Sequence, residues 1–234
     1  MIDSAQQRLN MVESQIRPSD VTDRRILRAM ADVERERFVP GPVASLAYMD
    51  EPVPLDATTK PGGSARTLMP PRTFAKLVQL ARIEPTDTVL VVGAGRGYSV
   101  AVVARLAKQV VGLEVDEAMA TAARAALSGV ATASIVTGPL TDAPSGGVKF
   151  AEGPMLAGGA LFDVIVVEGA VWEQPTRLTS RLTPGGRLVG VLNRGSVGQA
   201  TVWTRVGDHV AELAAFDAFA GVLPGFERPM SFAL

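Results

Sequence analysis

The chain has 234 residues, of which 47% are hydrophobic and 20% are charged, and its formal net charge is -1. This length suits one domain with an appendage or two small domains, and the hydrophobic fraction is sufficient for a sizeable core. The balanced charge gives no general attraction to nucleic acid or to an anionic membrane, and the absence of cysteine excludes disulfides, thiolate metal sites and cysteine nucleophiles.

The single histidine, His209, restricts the chemistry further. One histidine cannot build a multi-histidine metal site, and next to Asp208, with no nucleophile elbow upstream, it is typical of a solvated turn rather than of a catalytic triad. The N-terminus lacks the basic start and apolar run of a signal peptide, and no apolar run reaches the roughly 18 residues that span a membrane. We therefore expect a cytoplasmic protein without a metal and without a membrane partner.

Residues 1–40 are predicted to be helical, and their many charges are expected to lie mostly on one solvated face. Apolar residues at helical spacing include Ile26, Leu27 and Met30, and either Thr22 or Asp20 could cap that helix. Residues 49–72 are rich in proline and glycine, and so long a connection within a domain is typical of a lid or a binding segment. A helix over 73–81 follows. We accordingly predict two parts, residues 1–72 as N-terminal helices and substrate loop packed on the core, and residues 73–234 as the core.

The rest of the chain alternates strands with helices. Apolar, β-branched runs such as Thr88–Val92 and Phe162–Val167 are typical of parallel strands that are buried on both faces. The alternation predicts βαβ units and a doubly wound sheet, with an antiparallel hairpin at its edge. Predicted strands are 88–92, 109–114, 134–136, 162–167, 187–192, 199–206 and 209–218, and predicted helices are 98–107, 116–127 and 175–182.

Residues 138–159 break this pattern, because nine of the 22 are glycine or proline. We predict a flexible surface insertion between two strands, with a flap over the substrate as the alternative. Pro184-Gly185-Gly186 is predicted to form a turn before the strand that follows it.

A glycine loop, Gly93-Ala94-Gly95-Arg96-Gly97, follows the strand over 88–92 and precedes a helix. Glycines allow a sharp turn and a close backbone approach to a ligand, and the helix start adds free N–H groups. Glu114 ends the next strand, where a carboxylate can accept both hydroxyls of a ribose. Tyr98 stands where the dinucleotide pattern requires glycine, which favours a cofactor smaller than NAD. The alternative is a tight strand–helix turn without a ligand.

Together with further motifs, the glycine loop makes the sequence resemble the protein-L-isoaspartate O-methyltransferase family over most of its length. The resemblance lies in the order and spacing of several motifs. They are Met11–Arg17, Asp23–Met30, Glu36-Arg-Phe-Val-Pro40, Ala47-Tyr48-x-Asp50, Pro52-Val-Pro54, Val89–Tyr98, Phe162–Val166 and Leu182–Val189.

The resemblance implies an α/β, Rossmann-like, doubly wound, mostly parallel seven-stranded methyltransferase sheet with an antiparallel edge hairpin and extra N-terminal helices. It implies S-adenosylmethionine as the cofactor and a protein or peptide carboxylate as the methyl acceptor, the family's acceptor being isoaspartyl residues of damaged proteins. The expected cofactor contacts are Gly93, Ala94, Gly95, Gly97, Tyr98, Glu114 and Val115.

The substrate loop departs from the family pattern, in which a serine is assigned to the active site. Aligned on the proline, this chain has Met69 there, and a thioether cannot donate a hydrogen bond to a carboxylate. Ser64 or Thr67 could replace the serine, and Arg66 could bind a carboxylate as a charge-assisted fork, although a solvated loop residue is the alternative for Arg66. Thr67, Ser64 and Arg66 are therefore the candidate catalytic residues.

Two cofactor positions also depart. The family commonly has a carboxylate two residues before the first glycine of the loop, where this chain has Val91, and an acid after the glycine at 138, where it has Pro139. These losses leave open a degenerate family member that binds the cofactor or a protein partner without repair activity. A nucleotide-linked oxidoreductase is a further alternative, against which Tyr98 argues.

Overall fold

A computed structural model describes residues 3–56, 66–195 and 197–228. The strands are β1 (Val53–Pro54) and β2 (Thr67–Leu68), which pair with each other, and β3 (Thr88–Val92), β4 (Gln109–Glu114), β5 (Ala133–Thr137), β6 (Phe162–Val171), β7 (Leu182–Leu192), β8 (Gln199–Val206) and β9 (His209–Asp217). The last seven form one sheet in the order β5-β4-β3-β6-β7-β8-β9. Its first five strands in this order are parallel, and β8 and β9 are antiparallel additions at one edge. The expected fold class is confirmed.

Two hydrophobic cores lie on the two faces of the sheet. The first joins Val89, Val91, Val164 and Val166 to buried residues of the five helices that precede β5, so the N-terminal segment shares this core. The division of the chain at residues 72 and 73 stays a prediction. The helices are α1 (Ser4–Met11), α2 (Arg24–Asp32), α3 (Pro71–Ala81), α4 (Tyr98–Val103), α5 (Glu117–Ala126) and α6 (Thr176–Thr179), with π and 3-10 turns at Val12–Ile16, Arg17–Ser19, Arg35–Phe38 and Gly41–Leu46.

The segment 138–159 is anchored in the second core by a few residues, whereas most of residues 145–159 are exposed, as predicted for a surface insertion. Leu140, Ala143 and Val148 are buried in the same cluster as Leu90 and Leu113 of the sheet. No helix of the described residues is long and apolar enough to cross a membrane.

Local predictions near residues 20–23 and 175–186 differ from the structure. Asp23, rather than Thr22 or Asp20, caps α2, since its carboxylate accepts from the Arg25 N–H at 2.8 Å, while Asp20 has a left-handed backbone. Asp116 caps α5 as predicted. The helix predicted over 175–182 is only four residues long, because β7 already begins at Leu182 and the glycine turn at 184–186 is a bulge within that strand.

The expectation of a mostly solvated charged face is wrong for Arg35, which is fully buried. Its guanidinium donates to the carbonyl oxygens of Ala47 and Met69, both at 2.6 Å, and lies 4.6 Å from the centre of the Tyr98 ring. Arg35 therefore links the N-terminal segment to Met69 of the predicted substrate loop.

We expect Arg35→Ala to lower the free energy of unfolding by about 3 kcal/mol or more, because two charge-assisted hydrogen bonds are lost and a cavity is left. Urea unfolding measures this. Arg28→Ala is the matched control, since the Arg28 side chain is 86% exposed and its ion pair with Asp32 is long, at 4.0 Å. Equal losses for the two variants would contradict the structural role of Arg35.

Candidate active site

The glycine loop lies at the carboxyl end of β3, in the middle of the parallel part of the sheet. Gly93, Gly95 and Gly97 have φ values of 78°, 55° and 100°, a region that side chains rarely adopt. The Gly93 and Ala94 N–H groups both donate to the Leu113 carbonyl of β4, at 2.9 and 3.0 Å. The loop is therefore held against the end of β4, where Glu114 lies.

The Glu114 carboxylate is completely buried and binds the glycine loop directly. Its Oε2 accepts from the Gly95 N–H at 2.7 Å, and its Oε1 accepts from the Val115 and Asp116 N–H groups at 2.9 and 3.1 Å. Three backbone donors thus fix the carboxylate beside the loop, and its contact with a ribose stays a prediction.

Arg66 completes the surroundings of Glu114. Its guanidinium donates to both carboxylate oxygens, at 2.8 and 2.9 Å, and reaches the Gly93 carbonyl at 3.3 Å. Arg66 is only 8% exposed, so it is not the solvated loop residue considered as the alternative. With five N–H donors around it, the carboxylate has no lone pair left for a ribose hydroxyl while Arg66 stays in place.

Apolar side chains cover the other side of the loop. A Cβ atom placed on Gly95 would lie 2.7 Å from the Leu55 side chain, and one on Gly93 would lie 2.9 Å from Leu223. Leu223 belongs to a C-terminal segment that pairs with β6 through backbone bonds at Ala170. No pattern in the sequence indicates that this segment crosses the site.

The remaining predicted site residues lie around these groups. Gly97 packs on α5, since a Cβ atom placed on it would lie 3.2 Å from the Ala123 side chain, and the exposed Val115 contributes its backbone N–H to Glu114. The Tyr98 ring is buried against Phe38 and Phe74, with centroids 5.8 and 5.7 Å away. Burial raises the Tyr98 pKa. A cofactor contact of Tyr98 therefore stays a prediction, with its ring turned to the core.

Thr67 on β2 lies next to Arg66 and, with Met69, lines a narrow cavity of about 10 Å³, roughly one water. Ser64 lies outside the described residues. The Met69 side chain is buried, Val91 is part of the first core, and Pro139 is exposed. The structure thus brings Arg66 to the glycine loop and Thr67 to the cavity beside Glu168, and it supplies no acid at 91 or 139.

Glu168 is a site residue that the motifs of the sequence did not reveal. It lies within β6, directly after Val167, and is 6% exposed. It lines the same cavity, and its Oε2 accepts a hydrogen bond from the Ser99 hydroxyl. Burial raises its pKa to about 7, although Ser99, Arg35 and Arg66 oppose the shift. The signal that could have found it is an acid at the end of an otherwise apolar run, a position where ligands bind in such sheets.

No group of three or more potential metal ligands occurs in the ranges that the structure describes. What the site offers instead is a buried carboxylate on a glycine loop, a guanidinium fork, a hydroxyl and a second buried carboxylate. This set can bind hydroxyl groups and cations on one side and a carboxylate on the other. It contains no strong nucleophile.

Comparison with known proteins shows the family and the fold. The chain is 37% identical, over 184 residues, to a protein-L-isoaspartate O-methyltransferase of Koribacter versatilis (strain Ellin345), covering 78% of this chain and 74% of that protein. A solved protein-L-isoaspartate O-methyltransferase has the same fold, with a TM-score of 0.75, 20% identity, and coverage of 94% of this chain and 66% of that one.

A second structure, from Plasmodium falciparum, is described as a putative protein-L-isoaspartate O-methyltransferase in complex with S-adenosyl-L-homocysteine. Its TM-score is 0.69 at 18% identity, covering 91% of this chain and 96% of that one. The family model for protein-L-isoaspartate(D-aspartate) O-methyltransferases matches residues 6–213. This chain therefore belongs to the protein-L-isoaspartate(D-aspartate) O-methyltransferase family.

Proposed function

We propose that this protein transfers a methyl group from S-adenosylmethionine to a protein carboxylate, with an isoaspartyl residue as the acceptor. Family membership supports the reaction, and the buried Glu114 carboxylate, held on the glycine loop at 2.7 Å, is the observation that carries the cofactor site. Cytoplasmic localisation belongs to the same proposal.

The residues present fit the cofactor. Gly93, Gly95 and Gly97 bring the backbone close to a ligand, and Glu114 at the end of β4 can accept the two ribose hydroxyls. Arg66 and Leu55, which adjoin the paired strands β2 and β1, now cover these groups. We infer that this strand pair moves aside when the cofactor binds, so that Glu114 exchanges a guanidinium for hydroxyl groups.

When bound, the cofactor supplies an activated methyl group on a sulfonium. The acceptor carboxylate is already ionised at neutral pH, so the protein needs no general base and contributes alignment and exclusion of water. Arg66, once released from Glu114, binds the acceptor carboxylate as a fork, and the Thr67 hydroxyl donates to it. Ser64 stays a further candidate donor from the sequence alone. Met69 lines the same cavity as Arg66 and Thr67, and its thioether has no hydrogen to donate.

Labelled S-adenosylmethionine and two peptides of one sequence, containing either isoaspartate or aspartate, test the proposal. We expect transfer to the isoaspartyl peptide well above transfer to the aspartyl peptide, and Arg66→Gln to lower kcat/KM for the peptide by ten-fold or more, since a charge-assisted contact is worth about 1.5–3 kcal/mol. A family enzyme of known activity is the positive control. No transfer by this protein, with transfer by the control, would exclude isoaspartyl repair.

A further inference from the structure

Glu168 lies on the opposite side of the glycine loop from Glu114. Val92 of β3 pairs in register with Val167 of β6, so Gly93 and Glu168 are neighbours at the carboxyl edge of the sheet. Glu114 ends β4, on the other flank of β3. Along this edge the order is therefore Glu114, the glycine loop, Glu168.

One oxygen of the Glu168 carboxylate is unsatisfied. Oε2 accepts from Ser99, whereas Oε1 is buried and has no hydrogen-bond partner within the described ranges. A buried carboxylate oxygen without a partner is costly and rare in native proteins. The nearby guanidinium groups do not provide that partner. Arg66 donates to Glu114, Arg35 donates through Nε and Nη2 to two carbonyl oxygens, and the buried Nη1 of Arg35 also has no partner within the described ranges.

The chemistry of a carboxylate selects its ligand. A second carboxylate in direct contact with the Glu168 oxygens would be repelled as a like charge, whereas a cation would be bound. A cofactor whose ribose lies on Glu114 at β4 and which crosses the glycine loop presents its other end to β6. In S-adenosylmethionine that end is an amino acid with an α-ammonium and an α-carboxylate group, and only the ammonium group is a ligand for a carboxylate.

We propose that Glu168 binds the α-ammonium group of the cofactor's methionine part, an inference that rests on the proposed function. Glu168 also compensates for the missing acid at Val91. Val91 pairs in register with Val166, and Glu168 lies two residues further along β6, on the same face of the sheet. The acidic side chain for the cofactor thus lies on β6 in this protein, instead of on the neighbouring strand β3.

Calorimetric titration with two ligands tests this role. S-adenosylhomocysteine carries the ammonium group, whereas 5′-methylthioadenosine has the same nucleoside without the amino-acid part. We expect Glu168→Gln to weaken binding of S-adenosylhomocysteine by about ten-fold or more, the loss typical of one charged contact, and to leave binding of methylthioadenosine unchanged. Glu173→Gln, at an exposed carboxylate two residues beyond β6, is the matched control and should alter neither.

Unchanged affinity of Glu168→Gln for S-adenosylhomocysteine, or an equal loss for both ligands, would overturn the role of Glu168 alone. If the unmodified protein binds both ligands, the cofactor site stands whichever result Glu168→Gln shows. Failure of the unmodified protein to bind either ligand would overturn the proposed function, and this inference with it. Thermal unfolding of each variant confirms that the titrated protein is folded.

Discussion

Replacing Arg66 or Glu114 by glutamine is expected to change the affinity for S-adenosylhomocysteine in opposite directions. Glu114→Gln should weaken binding by about ten- to a hundred-fold, because hydrogen bonds to a charged group are worth about 1.5–3 kcal/mol. Arg66→Gln should tighten it by about ten-fold, because the fork that occupies both carboxylate oxygens at 2.8 and 2.9 Å no longer competes with the ribose.

Calorimetry on both variants measures this, with Arg72→Gln as the control at an exposed arginine that pairs with Asp50 and not with Glu114. A purely structural ion pair predicts the same direction for both variants, since each leaves a buried charge without its partner. Weaker binding in both would therefore contradict the competition. The double variant, with glutamine at both positions, contains neither buried charge and should still be folded, and it should bind as weakly as Glu114→Gln.

Glu168→Gln is expected to make the protein more stable at neutral pH. The pKa of Glu168 is about 7 in the folded protein and near its ordinary value of 4.5 in the unfolded chain, so between these values the folded state keeps a proton that the unfolded state has lost. The free energy of unfolding then falls by about 3 kcal/mol as the pH rises through this window, since each unit of difference between the two pKa values corresponds to about 1.4 kcal/mol. Below pH 4.5 both states are protonated, and above pH 7 the whole penalty is present.

Urea unfolding at about pH 5, near the lower end of this window, and at about pH 8, above its upper end, provides the measurement. The stability of Glu168→Gln relative to the unmodified protein should increase between the two pH values, whereas Glu173→Gln should follow the unmodified protein. The charged groups that face Glu168 are Arg35, Arg66 and Glu114, and all three are kept in the variant. The difference between the two proteins therefore reports the titration of Glu168. Parallel curves for the variant and the unmodified protein would show that Glu168 is not a buried carboxyl with a raised pKa.

The sheet and the cofactor loop could be predicted because their signals are local. Buried parallel strands require long β-branched runs, so Thr88–Val92 and Gln109–Glu114 have the predicted bounds. The glycine loop is a short motif with a fixed context, and Glu114 follows from its position at the end of the next strand. Family motifs in the same order then led to the fold class and the cofactor.

The surroundings of the site could not be predicted in this way, because they depend on contacts between distant residues. Arg35 resembles its solvated neighbours in sequence and differs only in meeting the carbonyl groups of Ala47 and Met69. Glu168 acquires its role from strand pairing with β3, and Leu223 from a segment that returns over the sheet. Nothing in the sequence joins Arg66 to Glu114, 48 residues later.

A crystal structure of the protein with S-adenosylhomocysteine tests the central claim most directly. We expect the ribose hydroxyls on the Glu114 carboxylate, the Arg66 guanidinium displaced from it, and the amino-acid end of the ligand at Glu168. A ligand bound elsewhere, with the Arg66–Glu114 pair intact, would contradict this account of the site.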